Sequence, residues 1–539
     1  MMDDNVTGLM GEGEREELTV PVPPRYWWLK RIFLACALLL VLLVGLRLWW
    51  GYVVHQRLQT EIDRLVAAGE PIFPEDFDTP PVPDPENAAL LYTNAANAFV
   101  KPAEATIDIS LFPTSSFTPA QLAEAQLYVD ANTNALRLAR QARDLPKVDW
   151  GLHIRRPAIT FSLPAFTQQR QLARLLAVAA RHHHHLGHDA ETIATVRDLL
   201  ALGDAVNHWP LLISHFVAIS IDALAANSVE HVAPTLAVGG AHDTFDPDPE
   251  PAKRAEVTAL IAELLDEQRS REAFIRAMQC ERMVYLDSIE SVIRGNLGLT
   301  SLTVPGGSGL AAAWARILTW PIKPLFELDG IASLRFGTAW VEAVQEPTWP
   351  ALLSRRPLDP GTDEGLLERV KHPLSSILLP SLHRATLLHY RSLADRRMAA
   401  VALAIRLHEI DHGRCPRQLT DLVPEFLDHV PLDPFSAEER VIGYRPDAAL
   451  PLLYSVSTNG VDDGGTFAFR RKGGIDWEVL DLPFFLDGNR PEFPRDLPTR
   501  PVASQQAGDD QDNVEDDGGE ADEDESGQPQ PQERQSEPQ

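Results

Sequence analysis

Residues 165–209 read AFTQQRQLARLLAVAARHHHHLGHDAETIATVRDLLALGDAVNHW, and the spacing of apolar side chains in this stretch decides the fold class. On each side of Gly187-His188-Asp189, apolar residues recur at three- and four-residue intervals, the period of a helix with one buried stripe. The stretch therefore predicts two antiparallel helices joined by a tight polar turn. The same period runs outward through most of residues 86–400. TPAQLAEAQLYVDANTNALRLARQARDL (118–145) is amphipathic, and LLISHFVAISIDALAANSVEHV (211–232) is apolar nearly all round, as a buried helix should be. After the break FDPDPEPAK (245–253), one long helix is expected from about Ala252 to Ile293. Its Glu267–Arg271 and Glu272–Arg276 pairs stand four residues apart on a partly solvated face. The expected class is mainly α.

The N-terminus is of another kind. Residues 32–54, IFLACALLLVLLVGLRLWWGYVV, are 23 residues with Arg47 as the only charge. At 1.5 Å per residue that suffices to cross a hydrocarbon core of about 30 Å. Tyr26, Trp27 and Trp28 before it, and Trp49, Trp50 and Tyr52 near its end, suit interfacial aromatic belts, and Arg47 is close enough to the end to snorkel. No small-residue cleavage site follows the run, and Cys36 stands too early for a lipidated cysteine, so an uncleaved signal anchor is expected. Arg15, Arg25, Lys30 and Arg31 precede the span, whereas only Arg57 and Arg64 follow closely. The positive-inside rule then places residues 1–31 in the cytoplasm and the body outside a bacterial inner membrane. Residues 55–85 read as a helix stopped by Gly69 and Pro71, then a proline-rich spacer, before a helical ectodomain at 86–378.

Charge excludes one function class. The net charge is −29 with no basic stripe, so nucleic acid is an unsuitable partner. Much of the acidity is concentrated: residues 509–525 hold 11 acids and no Lys or Arg, and with its Gln, Pro, Ser and Gly the tail 499–539 is expected to be disordered. Three cysteines make no disulfide framework, although Cys280 and Cys415 could pair in an oxidising compartment. The glycine-rich stretch 295–309 lacks the Lys-Ser/Thr of a phosphate-binding loop and the last Gly of a nucleophile elbow. The apolar AAAWARILTWPIKPLF (311–326) carries two prolines, which argues against a second span.

From Leu379 the pattern changes. A long helix, LPSLHRATLLHYRSLADRRMAAVALAIRLHEIDH, stops at Gly413 and Pro416, and PRQLTDLVPEFLDHVPLDPFS, two strand-like pieces (VIGYRP, PLLYSV) and STNGVDDGGT follow. In order of elements this resembles the soluble part of a type II secretion major pseudopilin. The residues that carry the resemblance are His412-Gly413, Pro416, Leu419, Leu422-Val423-Pro424, Val430-Pro431, Asp433-Pro434-Phe435, Tyr454-Ser455 and Asp462-Asp463, with Cys415 where that family has Tyr. It implies a small α+β pseudopilin-like module at 379–498. Two features depart from that family: the span lies far upstream of this helix, and no prepilin cleavage motif precedes it. The whole chain resembles bacterial membrane-anchored proteins that join an anchor, a helical ectodomain and this module, and this resemblance implies architecture without chemistry.

Three patterns offer ligands. His408, Glu409 and His412 form H-E-x-x-H, which on a helix presents two imidazoles to zinc with Glu409 as general base. Against that reading, Asp411 is charged, no third ligand is evident downstream, and the helix stops at once, so a solvated helix end competes. HHHHLGH (182–188) cannot converge on one ion, because successive helical side chains turn by about 100°; only His182 with His185 or His184 with His188 could pair. In the Asp-rich loop, Asn459, Asp462 and Asp463 supply hard oxygens suited to calcium, although the spacing is not an EF-hand's. Calcium near this point is also what the pseudopilin resemblance implies. The expected function is a non-catalytic, single-pass envelope scaffold or interaction protein with envelope protein partners; the alternative is a membrane-anchored zinc hydrolase built on the HEIDH segment.

Overall fold

The computed structural model describes residues 26–112, 116–160, 166–239, 250–294, 320–357, 381–470 and 474–491. The first 25 residues, the glycine-rich stretch at 295–309, most of the apolar stretch after it and the acidic tail lie outside the described residues.

Helix α1 (Trp27–Ala67) is one uninterrupted helix of 41 residues. Its most apolar window has mean hydropathy 2.6 and none of it is buried, so the helix is long and apolar enough to span a membrane. Its last turns behave differently: Val54, Leu58, Ile62 and Leu65, spaced by three or four residues, pack on Leu286, Ile331 and Leu334. The apolar segment and the body therefore share one rigid rod. Gly69, at φ +75, ends it, and the amides of Gly69 and Glu70 donate to the carbonyls of Val66 and Leu65. Arg47 does more than snorkel, because its Nε donates to the Pro321 carbonyl at 2.9 Å. Within the proline-rich stretch read as a spacer, Ile72, Pro74 and Phe77 are buried against the body.

The body is helical, as the periodicity predicts. In chain order it comprises α2 (Ala88–Asn97), α3 (Pro119–Ala131), α4 (Thr133–Arg143), α5 (Phe166–His185), α6 (Asp189–Val206), α7 (Leu212–Val232), α8 (Arg254–Leu265), α9 (Gln268–Arg294), α10 (Lys323–Ala343), α11 (Trp349–Arg355) and α12 (Ser381–His412). Helices α5 and α6 form the expected hairpin, turned by Gly187 at φ +79. Helix α7 is apolar enough to pass for a second span, but two thirds of its most apolar window is buried, and it is the core helix against which α6 and α12 pack.

One expectation fails. The long helix from Ala252 to Ile293 is two helices, broken where Asp266 leaves helical geometry at ψ 87. The reason lies on α12. Arg396 donates to the carbonyls of Glu263, Leu264 and Asp266 at 2.7, 3.1 and 3.1 Å, so its guanidinium serves the C-terminal carbonyls of α8 that the next turn would otherwise use. Arg397 and Arg271 then grip Glu267 as α9 begins. The Glu267–Arg271 pair forms as expected, whereas Arg276 turns to the Phe77 carbonyl and ring instead of Glu272.

Two short parallel strands, β1 (Val238–Gly239) and β2 (Ala252–Lys253), precede a C-terminal antiparallel sheet of β3 (Gly443–Arg445), β4 (Leu452–Ser455) and β5 (Leu482–Phe485) in the order β3-β4-β5. Strands β3 and β4 fall on the two expected pieces; β5 has no alternation to betray it, because all four of its residues are buried. Gly443 faces Tyr454, whose ring occupies the space a Cβ at 443 would need. Asp433 joins the turn after α12 to this sheet: it accepts from the Phe435 and Val456 amides and the Ser455 hydroxyl at 2.7–2.9 Å.

Candidate functional site

At the end of α12, His408 and His412 do come together. Their rings stack with centroids 4.2 Å apart, and Phe426 lies edge-on to both. His408 Nδ1 donates to the Arg414 carbonyl and His412 Nδ1 to the His408 carbonyl, each at 3.1 Å, since a carbonyl can only accept. The third participant is elsewhere: Glu409 holds Arg406 at 2.7 Å, and Asp411 pairs with Arg254. Among the described residues no group of three His, Cys, Asp or Glu side chains is placed to hold a metal ion. Two imidazoles without a third ligand, and a glutamate held by an arginine, make a helix end closed by Gly413 at φ +67.

The Asp-rich loop likewise spends its oxygens internally. Asn459 turns its amide nitrogen to Asp463 at 3.0 Å and its oxygen to the Val461 amide. Asp462 receives the Tyr454 hydroxyl at 3.0 Å, the Gly464 amide at 2.9 Å and the Arg440 guanidinium. The sequence reading missed the acid beneath them: Asp481, fully buried, accepts from the Gly465 and Asp463 amides. Burial lifts its pKa to about 6 against these two donated hydrogen bonds, and the charges of Asp463 and Asp462 add to the rise. With an arginine already on Asp462, the donor set does not fit calcium.

In the histidine-rich turn both ring nitrogens of His184 have partners outside the histidine run. His184 places Nδ1 2.5 Å from buried Asp189 and Nε2 2.9 Å from the Thr235 hydroxyl, while the second carboxylate oxygen of Asp189 accepts from the Ala237 amide. This ties the α5–α6 turn to the chain after α7. Cys280 is buried on α9, Cys415 is exposed beyond α12, and both are free thiols.

The polar groups that the structure does concentrate are ones the motifs passed over. Asp222 on α7 and Arg396 on α12 are both buried and meet at 3.1 Å. Gly203 on α6 lets them in, since a Cβ there would stand 3.0 Å from the Asp222 carboxylate. Beside them His215 (α7) and His389 (α12) are completely enclosed, with His215 Nε2 3.1 Å from His389 Nδ1 and His215 Nδ1 3.0 Å from the Asn207 amide oxygen. The Phe274 ring stacks on both imidazoles. Asn207 oxygen accepts from His215 Nδ1–H, so His215 Nε2 accepts from His389 Nδ1–H, and both rings are neutral. Burial drives the His215 pKa down to about 3 and that of His389 well below its ordinary value. This seam opens onto a cleft of about 900 Å³ whose wall includes Asn207, Asp204, Arg197, Glu263, Arg269 and Arg396. Burial, then the Asp222 charge, raises the Asp204 pKa to about 6. Arginines and carboxylates interleave along this wall, beside Tyr92, Val148 and Leu200.

A sequence signal for this seam exists. Asp222 stands among Ala218, Ile219, Ala225 and Ala226 on a helix apolar nearly all round, and a carboxylate there requires a buried partner. What the sequence does not give is which arginine answers it.

No family model matches the chain, and neither a curated protein nor a solved structure is similar to it.

Proposed function

We propose that the chain is a non-catalytic, single-pass protein of a bacterial envelope, held in the inner membrane by the first half of α1 and presenting its helical body to envelope protein partners outside. The observation that carries this reading is the continuity of α1, whose apolar turns are exposed and whose last turns are core residues of the body. Such a helix holds the body at a fixed height over a membrane, which suits a scaffold. The lysine and arginines ahead of the span set the orientation, N-terminus in the cytoplasm. The resemblance of residues 379–498 to pseudopilins supports an envelope setting, with a long helix, the V-P-x-D-P-F turn and a small antiparallel sheet in the same order. A hydrolase would need a third ligand and an unpaired base, and among the described residues no third ligand joins the His408–His412 pair while Glu409 is held by Arg406.

The native cysteines test the topology. Cys415 is exposed, Cys280 is buried and Cys36 lies within the apolar helix. A membrane-impermeant maleimide applied to intact spheroplasts at alkaline pH should label Cys415, and alkaline carbonate should leave the protein in the membrane. Labelling only after lysis would reverse the orientation, and release by carbonate would remove the anchor.

A further inference from the structure

The chain holds a second concavity, of about 350 Å³, between α7, α12 and the C-terminal sheet. Its floor and walls include Trp477, Phe484 and Leu224, and three arginines reach it: Arg391, Arg470 and Arg490. Among the described residues one carboxylate, Asp395, shares the lining. The other acids stand behind the arginines. Glu230, buried on α7, takes Arg490 at 2.7 Å and the Phe485 amide, and Glu478 takes Arg470 at 2.7 Å and Arg384 at 2.5 Å. These back-side pairs fix two guanidinium forks and keep the cluster stable when the cavity is empty.

Two donors are left over. Arg391 lies over the Trp477 ring at 4.6 Å, its nearest carboxylate is Asp395 at 3.7 Å, and it makes no hydrogen bond among the described residues. Arg490 keeps its Nε buried without an acceptor. A buried donor left unmade costs about 1–3 kcal/mol, so folded proteins rarely keep one such as Arg490 Nε beside a cavity unless something supplies the acceptor. Arg391, its side chain 34% exposed, is open to an acceptor in the cavity. Planar guanidinium groups match the paired oxygens of a carboxylate or phosphate, and the aromatic wall suits an apolar or planar body attached to it.

We propose that this cavity is a binding site for a small ligand that carries an oxyanion, carboxylate or phosphate, on an apolar body, with Arg391 and Arg490 as the anion donors and Trp477 and Phe484 as the surface for the body. Glu230 and Glu478 set the donors' geometry without neutralising the mouth. The site does not depend on the membrane orientation or on the scaffold role.

The test uses the full-length chain in detergent, titrated calorimetrically with phenyl phosphate, benzoate and inorganic phosphate, beside Arg391→Gln and a control, Arg335→Gln, whose surface pair with Glu61 is remote from the cavity. Loss of one charged hydrogen-bond donor should weaken binding about tenfold or more in Arg391→Gln and leave Arg335→Gln at the wild-type value. The aromatic anions should bind more tightly than inorganic phosphate. Should Arg391→Gln melt well below the wild type, Leu224→Phe, which fills the cavity without touching a charge, takes its place and should abolish binding. Absence of binding by every probe at about 10 mM, above the weakest range in which a specific pocket is useful, or equal binding by the cavity variants and the wild type, overturns the proposal.

Discussion

Helix α12 carries two polar stretches, and they invert what their sequences advertise. His408, Glu409 and His412 spell a recognised zinc-binding pattern, yet in the structure they close a helix end, with each Nδ1 donating to a backbone carbonyl and Glu409 given to Arg406. Arg396, inconspicuous within RSLADRRMAAV, is buried and makes four hydrogen bonds that end α8 and neutralise Asp222. The difference is one of depth. Although His408 is buried, His412 and Asp411 are exposed and water can serve that helix end, whereas an ion at the centre of the body must find every partner in the protein. Spelling therefore says little about consequence; burial decides it.

The largest effect that would sharpen this contrast belongs to Arg396→Met. It strands the Asp222 carboxylate and three helix-end carbonyls, and should cost about 3–5 kcal/mol, read as a large fall in the thermal midpoint in detergent. Adding Asp222→Leu should return most of that stability, because the charge left behind, and not the pair itself, is what destabilises. A double variant no more stable than Arg396→Met would break the account of the seam.

Next comes Gly203→Ala, which brings a methyl group to 3.0 Å from the Asp222 carboxylate and should cost about 1–3 kcal/mol through forced displacement. In the Asp222→Leu, Arg396→Met background the α6–α7 contact is rebuilt, so the same change should cost a different amount; strict additivity would separate Gly203 from the seam.

A smaller effect follows from Asp481, whose folded pKa of about 6 stands above its ordinary value of 3.8. A raised carboxylate favours the folded state while it is protonated, so its contribution is complete below its unfolded pKa and is lost as pH rises through about 6. Thermal midpoints of the wild type and Asp481→Asn should therefore diverge, in the wild type's favour, as pH falls from 7 to 5. A constant gap over that range would mean that Asp481 does not titrate there.

Much of the fold is legible in sequence because it follows from period. The α5–α6 hairpin, the buried α7, the long α12 and the exposed apolar half of α1 all come from the spacing of apolar residues, and Gly69 and Gly187 mark their ends. The break between α8 and α9 is not legible, because its cause is a side chain 130 residues away: Arg396 reaching Asp266. Strand β5 escapes for a different reason, being buried on both faces and therefore without alternation. Of the candidate sites, the sequence finds the His pair and the Asp-rich loop as positions. It has no means of showing that Arg406 and Arg440 already hold Glu409 and Asp462.

The smallest effect, and the most direct measurement of the central claim, lies at the HEIDH end. Glu409→Gln removes a half-exposed i,i+3 ion pair and should shift stability by less than about 0.5 kcal/mol. The decisive experiment is elemental analysis of the full-length protein, purified without a polyhistidine tag, alongside His408→Ala. The structure predicts less than a stoichiometric amount of zinc in both proteins and no difference between them. About one zinc per chain in the wild type, lost in His408→Ala, would contradict the reading of this chain as a non-catalytic envelope protein and make the end of α12 a metal centre.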